Sequence, residues 1–169
     1  MNNSLLRQLY EKYYKEIYLY LFSLCKSQEI AEDLVQETFL KALLSLTDNH
    51  TNMRAWLYMV SRNLYFNYAK KESRKVSLDE DETTALEGMV TAGVLEKLLQ
   101  DERKKILYKG LLKLDEKKRE VLLLQYFGGL SQREIAAVLK LTAENVRILA
   151  YRGKKELRLY MEANGYDIS

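Results

Sequence analysis

Arg147, Arg152, Lys154, Lys155 and Arg158 crowd one stretch, SQREIAAVLKLTAENVRILAYRGKKELR (131–158), together with Asn145, Ile148 and Tyr151. On a helix these residues fall opposite Val146, Leu149, Ala150 and Leu157, which form an apolar stripe. A positive, donor-rich helix face is what the DNA major groove accepts. Arg takes guanine edges bidentately, while Lys and backbone amides hold phosphates. Ser131 and Glu134 make a capping box for a short preceding helix whose inner face is Glu134, Ile135, Ala136 and Leu139, and Thr142 can cap the second. Two such helices joined by a tight turn fit a helix-turn-helix. Taken alone, the pattern also fits a helical hairpin with a solvated basic face.

Two other stretches carry chemistry of a different kind. AEDLVQETFLKAL (31–43) is a helix whose outer side, with Glu29, Glu32, Asp33, Gln36 and Glu37, is polar and mostly acidic. That side is either an ordinary solvated surface or a docking stripe for a basic protein partner. NMRAWLYMVSRNLYFNYAKKESRK (52–75) interleaves Trp56, Tyr58, Tyr65, Phe66 and Tyr68 with Arg54, Arg62 and Arg74. Aromatic rings among cations suit single-stranded nucleic acid, where bases stack and the backbone follows charge. Trp56, Val60 and Leu64 share one face and read as core, which places Tyr58, Arg62 and Tyr65 away from it.

Other chemistries lack their residues. With one Cys and one His in 169 residues, neither a disulfide framework nor a Cys/His zinc site can be built. No Gly-rich phosphate loop is present, so neither a catalytic residue, nor a metal, nor a cofactor, nor a small-molecule substrate is expected. His50 sits in a polar loop, TDNHTN, and Cys25 reads as partly buried filler. Apolar runs break within a few residues, short of a membrane span, and the N-terminus is no signal peptide. A cytoplasmic protein is expected.

The elements that must position these stretches are helical. Pro is absent and Gly is 7, too few turn residues for a sheet-rich fold. Leu6, Leu9, Tyr13, Ile17, Leu21 and Leu24 recur at helical steps in a first helix. Ser27 can cap a second with Leu34, Val35, Thr38, Phe39, Ala42 and Leu43 inward, and Asn52 can cap a third over 53–72. A further helix is expected over 94–113. Asp115 can cap the next, which stops at Gly128-Gly129, and the last ends near Asn164-Gly165. Thirteen tyrosines leave aromatic surface to account for beyond ordinary packing.

Charge divides the chain. Residues 1–75 hold 11 basic and 8 acidic residues, 76–102 hold 1 and 8, and 103–169 hold 15 and 8, so a net charge of +3 conceals two basic ends around an acidic middle. The expected fold is all-α: two small helical modules, 1–75 and 93–169, joined by a flexible acidic linker over 76–92, the C-terminal module being a helix-turn-helix. Modules this small bury only about 60% of their unfolded surface.

AEDLVQETFLKAL, RAWLYMVSRNL and LLKLDEKKREVLLLQYFGGLSQREIAAVLKL, in this order and separation, resemble the signature segments of extracytoplasmic-function (ECF) sigma factors of bacterial RNA polymerase. The resemblance spans both modules and leaves out only the linker and the last dozen residues. It implies a factor that binds core RNA polymerase through Asp33, Gln36 and Glu37 and directs it to promoters. It implies that the 47–54 loop with Arg54, Tyr58, Arg62 and Asn63 opens the −10 element and holds its single strand. It also implies that Asn145, Arg147, Ile148, Tyr151, Arg152, Lys154 and Lys155 read the −35 element as duplex. An anti-sigma factor that sequesters the protein, and could hold it at the membrane, is implied as well. Asn67 stands where the family usually has Asp, and Asp115 where it often has Pro. Ile148 and Leu149 replace commoner small polar and basic residues, so a promoter sequence does not carry over. A dimeric repressor or activator would use the same helix-turn-helix but leave 31–43 and 52–75 without a role.

Overall fold

A computed structural model describes residues 2–45, 52–74 and 96–167, which are helical and, among themselves, contain no strand. They belong to two compact units, Met1–Val94 and Leu95–Ser169. The 76–92 linker, the acidic run Asp79–Glu82 and most of the 47–52 loop with His50 lie outside the described residues. Among the described residues no helix is long and apolar enough to cross a membrane.

The first unit contains α1 (Asn2–Cys25), α2 (Gln28–Leu44) and α3 (Met53–Ser73), each packed on the other two. The caps are those expected: the Ser27 hydroxyl accepts from Ile30 N, and Asn52 Oδ1 accepts from Ala55 N at 3.2 Å. From Ile17 to Leu24 every residue of α1 is buried, so this half is a central helix enclosed all round rather than a one-sided stripe. Leu6, Leu9 and Leu43, expected inward, are half-buried. Polar residues enter the core by turning their hydroxyls onto their own helix. Thr38 donates to Leu34 O at 2.7 Å and Ser61 to Tyr58 O at 2.9 Å, which removes the cost of an unpaired buried group. Much of the aromatic surplus is a ladder on α1: Tyr10, Tyr14, Tyr18 and Phe22 follow one another at centroid distances of 4.7, 5.9 and 6.1 Å. Burial pushes the Tyr14 hydroxyl up to about 12, so this phenol stays neutral.

The second unit contains α4 (Glu102–Leu112), α5 (Glu116–Tyr126), α6 (Gln132–Leu139) and α7 (Ala143–Ala163). The single helix expected over 94–113 is broken. Residues 96–98 are helical, 99–101 are not, and Asp101 caps α4 by accepting from Arg103 N at 2.9 Å. An Asp followed by a helix-forming run competes well for the N-cap position, and Leu99 is buried at the break. Lys105 reaches back to Glu96 at 2.9 Å and fixes the two pieces together.

The α6–α7 pair is closed at both ends. Ser131 and Glu134 form the reciprocal capping box, at 3.1 and 2.8 Å, and Thr142 Oγ1 accepts from Asn145 N at 3.1 Å. Between the helices Lys140 adopts left-handed backbone, φ 58°. A side chain there costs about 1–2 kcal/mol, and glycine relieves the strain at an entropic cost of about 0.5–1 kcal/mol. Lys140→Gly is therefore expected to raise the stability of this unit by up to about 1 kcal/mol, read as a rise of roughly 4–8 °C in its melting temperature. A fall would show that the turn is not strained.

Candidate polymerase- and DNA-binding surfaces

The α2 surface is built by its own periodicity. Ala31, Leu34, Val35, Thr38, Phe39 and Ala42 face the core, and Asp33, Gln36 and Glu37 are left exposed together on the other side. One neighbour of this stripe escaped the sequence reading. An open groove of about 570 Å³, lined by Leu6, Arg7, Tyr10, Gln36, Phe39 and Leu40, runs between α1 and α2. Leu40 and Leu44, at 53% and 77% exposure, add apolar surface beside the acidic side chains. Their signal was an apolar excess on α2: more Leu than its inner face can use.

The α3 surface differs from expectation. Tyr58, expected on the DNA side, is fully buried, its ring edge-on to Tyr20 at 5.2 Å. The inward stripe is Leu57, Tyr58, Ser61 and Leu64, whereas Trp56 and Val60 are half-buried. Both stripes satisfy a helical repeat. The choice between them turns on Ser61, which looks polar but is satisfied internally and small enough to let α1 approach. Tyr58 therefore leaves the set of candidate DNA contacts. Arg54 is partly engaged inward, with Nε 3.0 Å from Glu16 Oε1 and Cζ 5.5 Å from the Tyr13 ring centre, while its side chain keeps 39% exposure. Arg62 and Asn63 remain on the accessible side, Arg62 half-buried with Cζ 4.6 Å from the Phe66 ring centre, and Asn63 exposed.

Glu16 sits beneath this helix start. Its burial pushes the carboxyl up, against the opposing pull of Arg54 and of the Tyr58 hydroxyl. Burial, then the Glu16 charge, pushes the Tyr58 hydroxyl well above its ordinary value. Glu16 Oε1, Arg54 Nε and Tyr58 OH are all sealed from water, and none is aligned on a hydrogen-bond partner. The Glu16–Arg54 contact is thus an ion pair by distance rather than a directed hydrogen bond.

The α7 surface matches expectation closely. Val146, Ala150, Gly153, Leu157 and Met161 are buried, with Leu149 half-buried, and α7 packs on α4, α5 and α6. Gly153 was not expected inside. A Cβ there would lie 2.8 Å from Leu122 Cδ1 and 3.3 Å from Lys118 Cβ, so glycine lets α7 lie close on α5. In α6, Ile135, Val138 and Leu139 face inward, and Glu134 and Ala136 are half-buried. Lys118 ties α5 to α7 through Glu156 at 3.0 Å. The Glu156 and then the Asp115 carboxylate hold its pKa up.

On the outer side of α7, Asn145, Arg147, Ile148, Tyr151, Arg152 and Lys155 are all exposed, and Lys154 is half-buried. Ile148 and Tyr151, at 36% and 62% exposure, give the positive face an apolar centre. Lys155 Nζ lies 5.2 Å from the Tyr151 ring centre. Arg147 approaches Glu144 only at 3.9 Å in solvent, a pair worth little and readily exchanged for a base or a phosphate.

Known proteins place these surfaces in context. The Sigma-70 region 2 family matches residues 9–75 and the Sigma-70, region 4 family residues 104–157. The RNA polymerase sigma factor YlaC of Bacillus subtilis (strain 168) is 30% identical over 158 residues, 92% of this chain and 91% of that protein. The ECF RNA polymerase sigma factor SigM of the same organism is 27% identical over 152 residues, 89% of this chain and 91% of that protein. Among solved structures, CnrH in complex with the cytosolic domain of CnrY is 26% identical with a TM-score of 0.60, matching 95% of this chain and 89% of that one. The sigma factor RpoE from Bartonella quintana, in complex with the anti-sigma factor NepR, shares the fold at 20% identity with a TM-score of 0.65, over 92% of this chain and 96% of that one.

Proposed function

The chain belongs to the ECF group of the sigma-70 family, and from that premise we propose how its surfaces divide the work of initiation. It is a sigma factor, which binds core RNA polymerase and directs it to promoters. Asp33, Gln36 and Glu37 dock on the polymerase, with the apolar groove beside Gln36 completing the contact. Arg62 and Asn63 face the −10 strand. Asn145, Arg147, Ile148, Tyr151, Arg152, Lys154 and Lys155 address the −35 duplex. The observation that supports this division best is the placement of an exposed acidic stripe on one unit and an exposed basic helix face on the other.

Energetics explain why the factor works with the polymerase. Breaking each DNA stacking step costs about 1.4 kcal/mol, and capturing a base on an aromatic ring returns about 1–3 kcal/mol. A few captured bases offset only the start of a bubble, and polymerase and −35 contacts supply the rest. The protein acts as an initiation factor in the cytoplasm, without a catalytic residue of its own. It is held in reserve by an anti-sigma factor, as the sigma factor RpoE is bound by NepR in that complex.

Fluorescence anisotropy of the labelled protein titrated with core polymerase tests the docking assignment. Asp33→Ala/Gln36→Ala/Glu37→Ala is expected to weaken binding by about 2 kcal/mol, roughly thirtyfold. Because all three residues are exposed, stability should shift by less than about 0.5 kcal/mol per site. If the unmodified protein does not bind core polymerase, the helix-turn-helix must instead serve a polymerase-independent regulator.

A further inference from the structure

We propose that Glu16, Arg54 and Tyr58 form a latch between α1 and the first turns of α3, and that Arg54 serves −10 opening by positioning this helix rather than by touching DNA. This rests on the sigma-factor reading above. Arg54 is the second residue of α3, in the first turn after the Asn52 cap. Arg62 and Asn63 lie about two turns further along the same helix, roughly 12 Å away. The apolar stripe Leu57, Tyr58, Ser61 and Leu64 holds α3 on α1, but apolar burial is non-directional and tolerates a roll about the helix axis. A roll of about 20° moves a side-chain tip at the ~5–6 Å helix radius by about 2 Å, enough to break a hydrogen bond to a base. The Arg54–Glu16 ion pair at 3.0 Å, with the guanidinium against the Tyr13 ring and Tyr58 OH sealed beside it, is a polar contact that such a roll would lengthen and so weaken.

The cluster is poorly suited to be a stability device. Burial of the Glu16 carboxylate outweighs the attraction of Arg54, since its pKa is raised despite the neighbouring cation. Glu16→Gln keeps the shape, removes the buried charge, and is expected to fold at least as well as the unmodified chain. A pair that adds so little to stability fits a role in geometry.

The test uses the holoenzyme and a promoter fragment that the unmodified holoenzyme has selected from a randomised library, with 2-aminopurine in its −10 strand. Glu16→Gln and Arg54→Gln are each expected to reduce opening about tenfold with core affinity unchanged; the melting temperature should hold in Glu16→Gln and fall in Arg54→Gln, which leaves the Glu16 carboxylate without its cation. The salt dependence of DNA binding should keep its slope in Arg54→Gln. Exchanging the charges in Glu16→Arg/Arg54→Glu should restore opening to within about threefold; if that double variant does not fold, Glu16→Gln and the slope decide. Normal opening in Glu16→Gln with loss in Arg54→Gln, or a slope reduced by about 0.7, the value for one single-strand phosphate, would make Arg54 a DNA contact and overturn the proposal. Normal opening in both variants, or parallel loss of core affinity and melting temperature, would overturn it too. Failure of the unmodified chain to bind core or to select any promoter would instead strike the sigma-factor reading.

Discussion

Leu122→Ala is expected to lower the stability of the second unit by about 3 kcal/mol, within the ~2–5 kcal/mol range for emptying a buried leucine site. Leu122 is fully buried in α5, and its Cδ1 meets α7 at the glycine that permits close approach, Gly153. Removing it leaves a void that cannot collapse without moving α7, because Lys118 and Glu156 hold the two helices one turn away. About seventy residues of this unit are described, for which a total stability of about 4–11 kcal/mol is typical. One leucine therefore decides whether α7 is presented at all. A melting temperature lower by roughly 12–24 °C is expected, with −35 duplex binding lost at 37 °C. Docking on core polymerase, assigned to the other unit, should persist. Leu159→Ala is the control, since Leu159 is exposed and should change stability by less than about 0.5 kcal/mol. A Leu122→Ala protein melting within about 2 °C of the unmodified chain would show that this contact does not hold α7.

The helices and their caps were legible because each rests on local chemistry. Ser27, Asn52, Asp115, Ser131 and Thr142 all occupy the cap positions their side chains suit. Asp101 uses the same chemistry, but no Gly or Pro breaks the run between Gly93 and Gly110, and apolar periodicity overrode it. The outer faces of α2 and α7 were legible for a second reason: on both, the charged residues gather on the side opposite the buried stripe. On α3 they do not. Trp56, Leu57, Tyr58, Val60 and Leu64 give two overlapping stripes, and the internally bonded Ser61 selects between them only when α1 is present. The partnership of Glu16 with Arg54 joins residues on different helices, and periodicity along one helix carries no information about it. What sequence reads as a cation free for DNA is, in the folded unit, paired through its Nε with a carboxylate.

That contrast makes Arg147 and Arg152 the sharper test of DNA reading, since both stand on the exposed face of α7. Arg147→Ala/Arg152→Ala is expected to weaken binding to the selected −35 duplex by about 4 kcal/mol, roughly a thousandfold, taking ~1–3 kcal/mol for each lost bidentate base contact. Folding should be untouched, because the buried stripe from Val146 to Met161 supplies the packing of α7. Lys154→Ala/Lys155→Ala should behave differently. If both lysines meet phosphates, binding falls to a similar extent on every sequence, and the slope of log affinity against log salt becomes shallower by about 1.8. Measuring both variants on selected and scrambled duplexes across a salt series separates the two roles. Arginine substitution that costs as much on scrambled as on selected DNA, with a matching change of slope, would mean that α7 holds the backbone and that sequence is read elsewhere. Loss confined to the selected duplex would leave Ile148, at the apolar centre of the same face, as the next residue to vary, since an aliphatic side chain there can distinguish thymine by its methyl group.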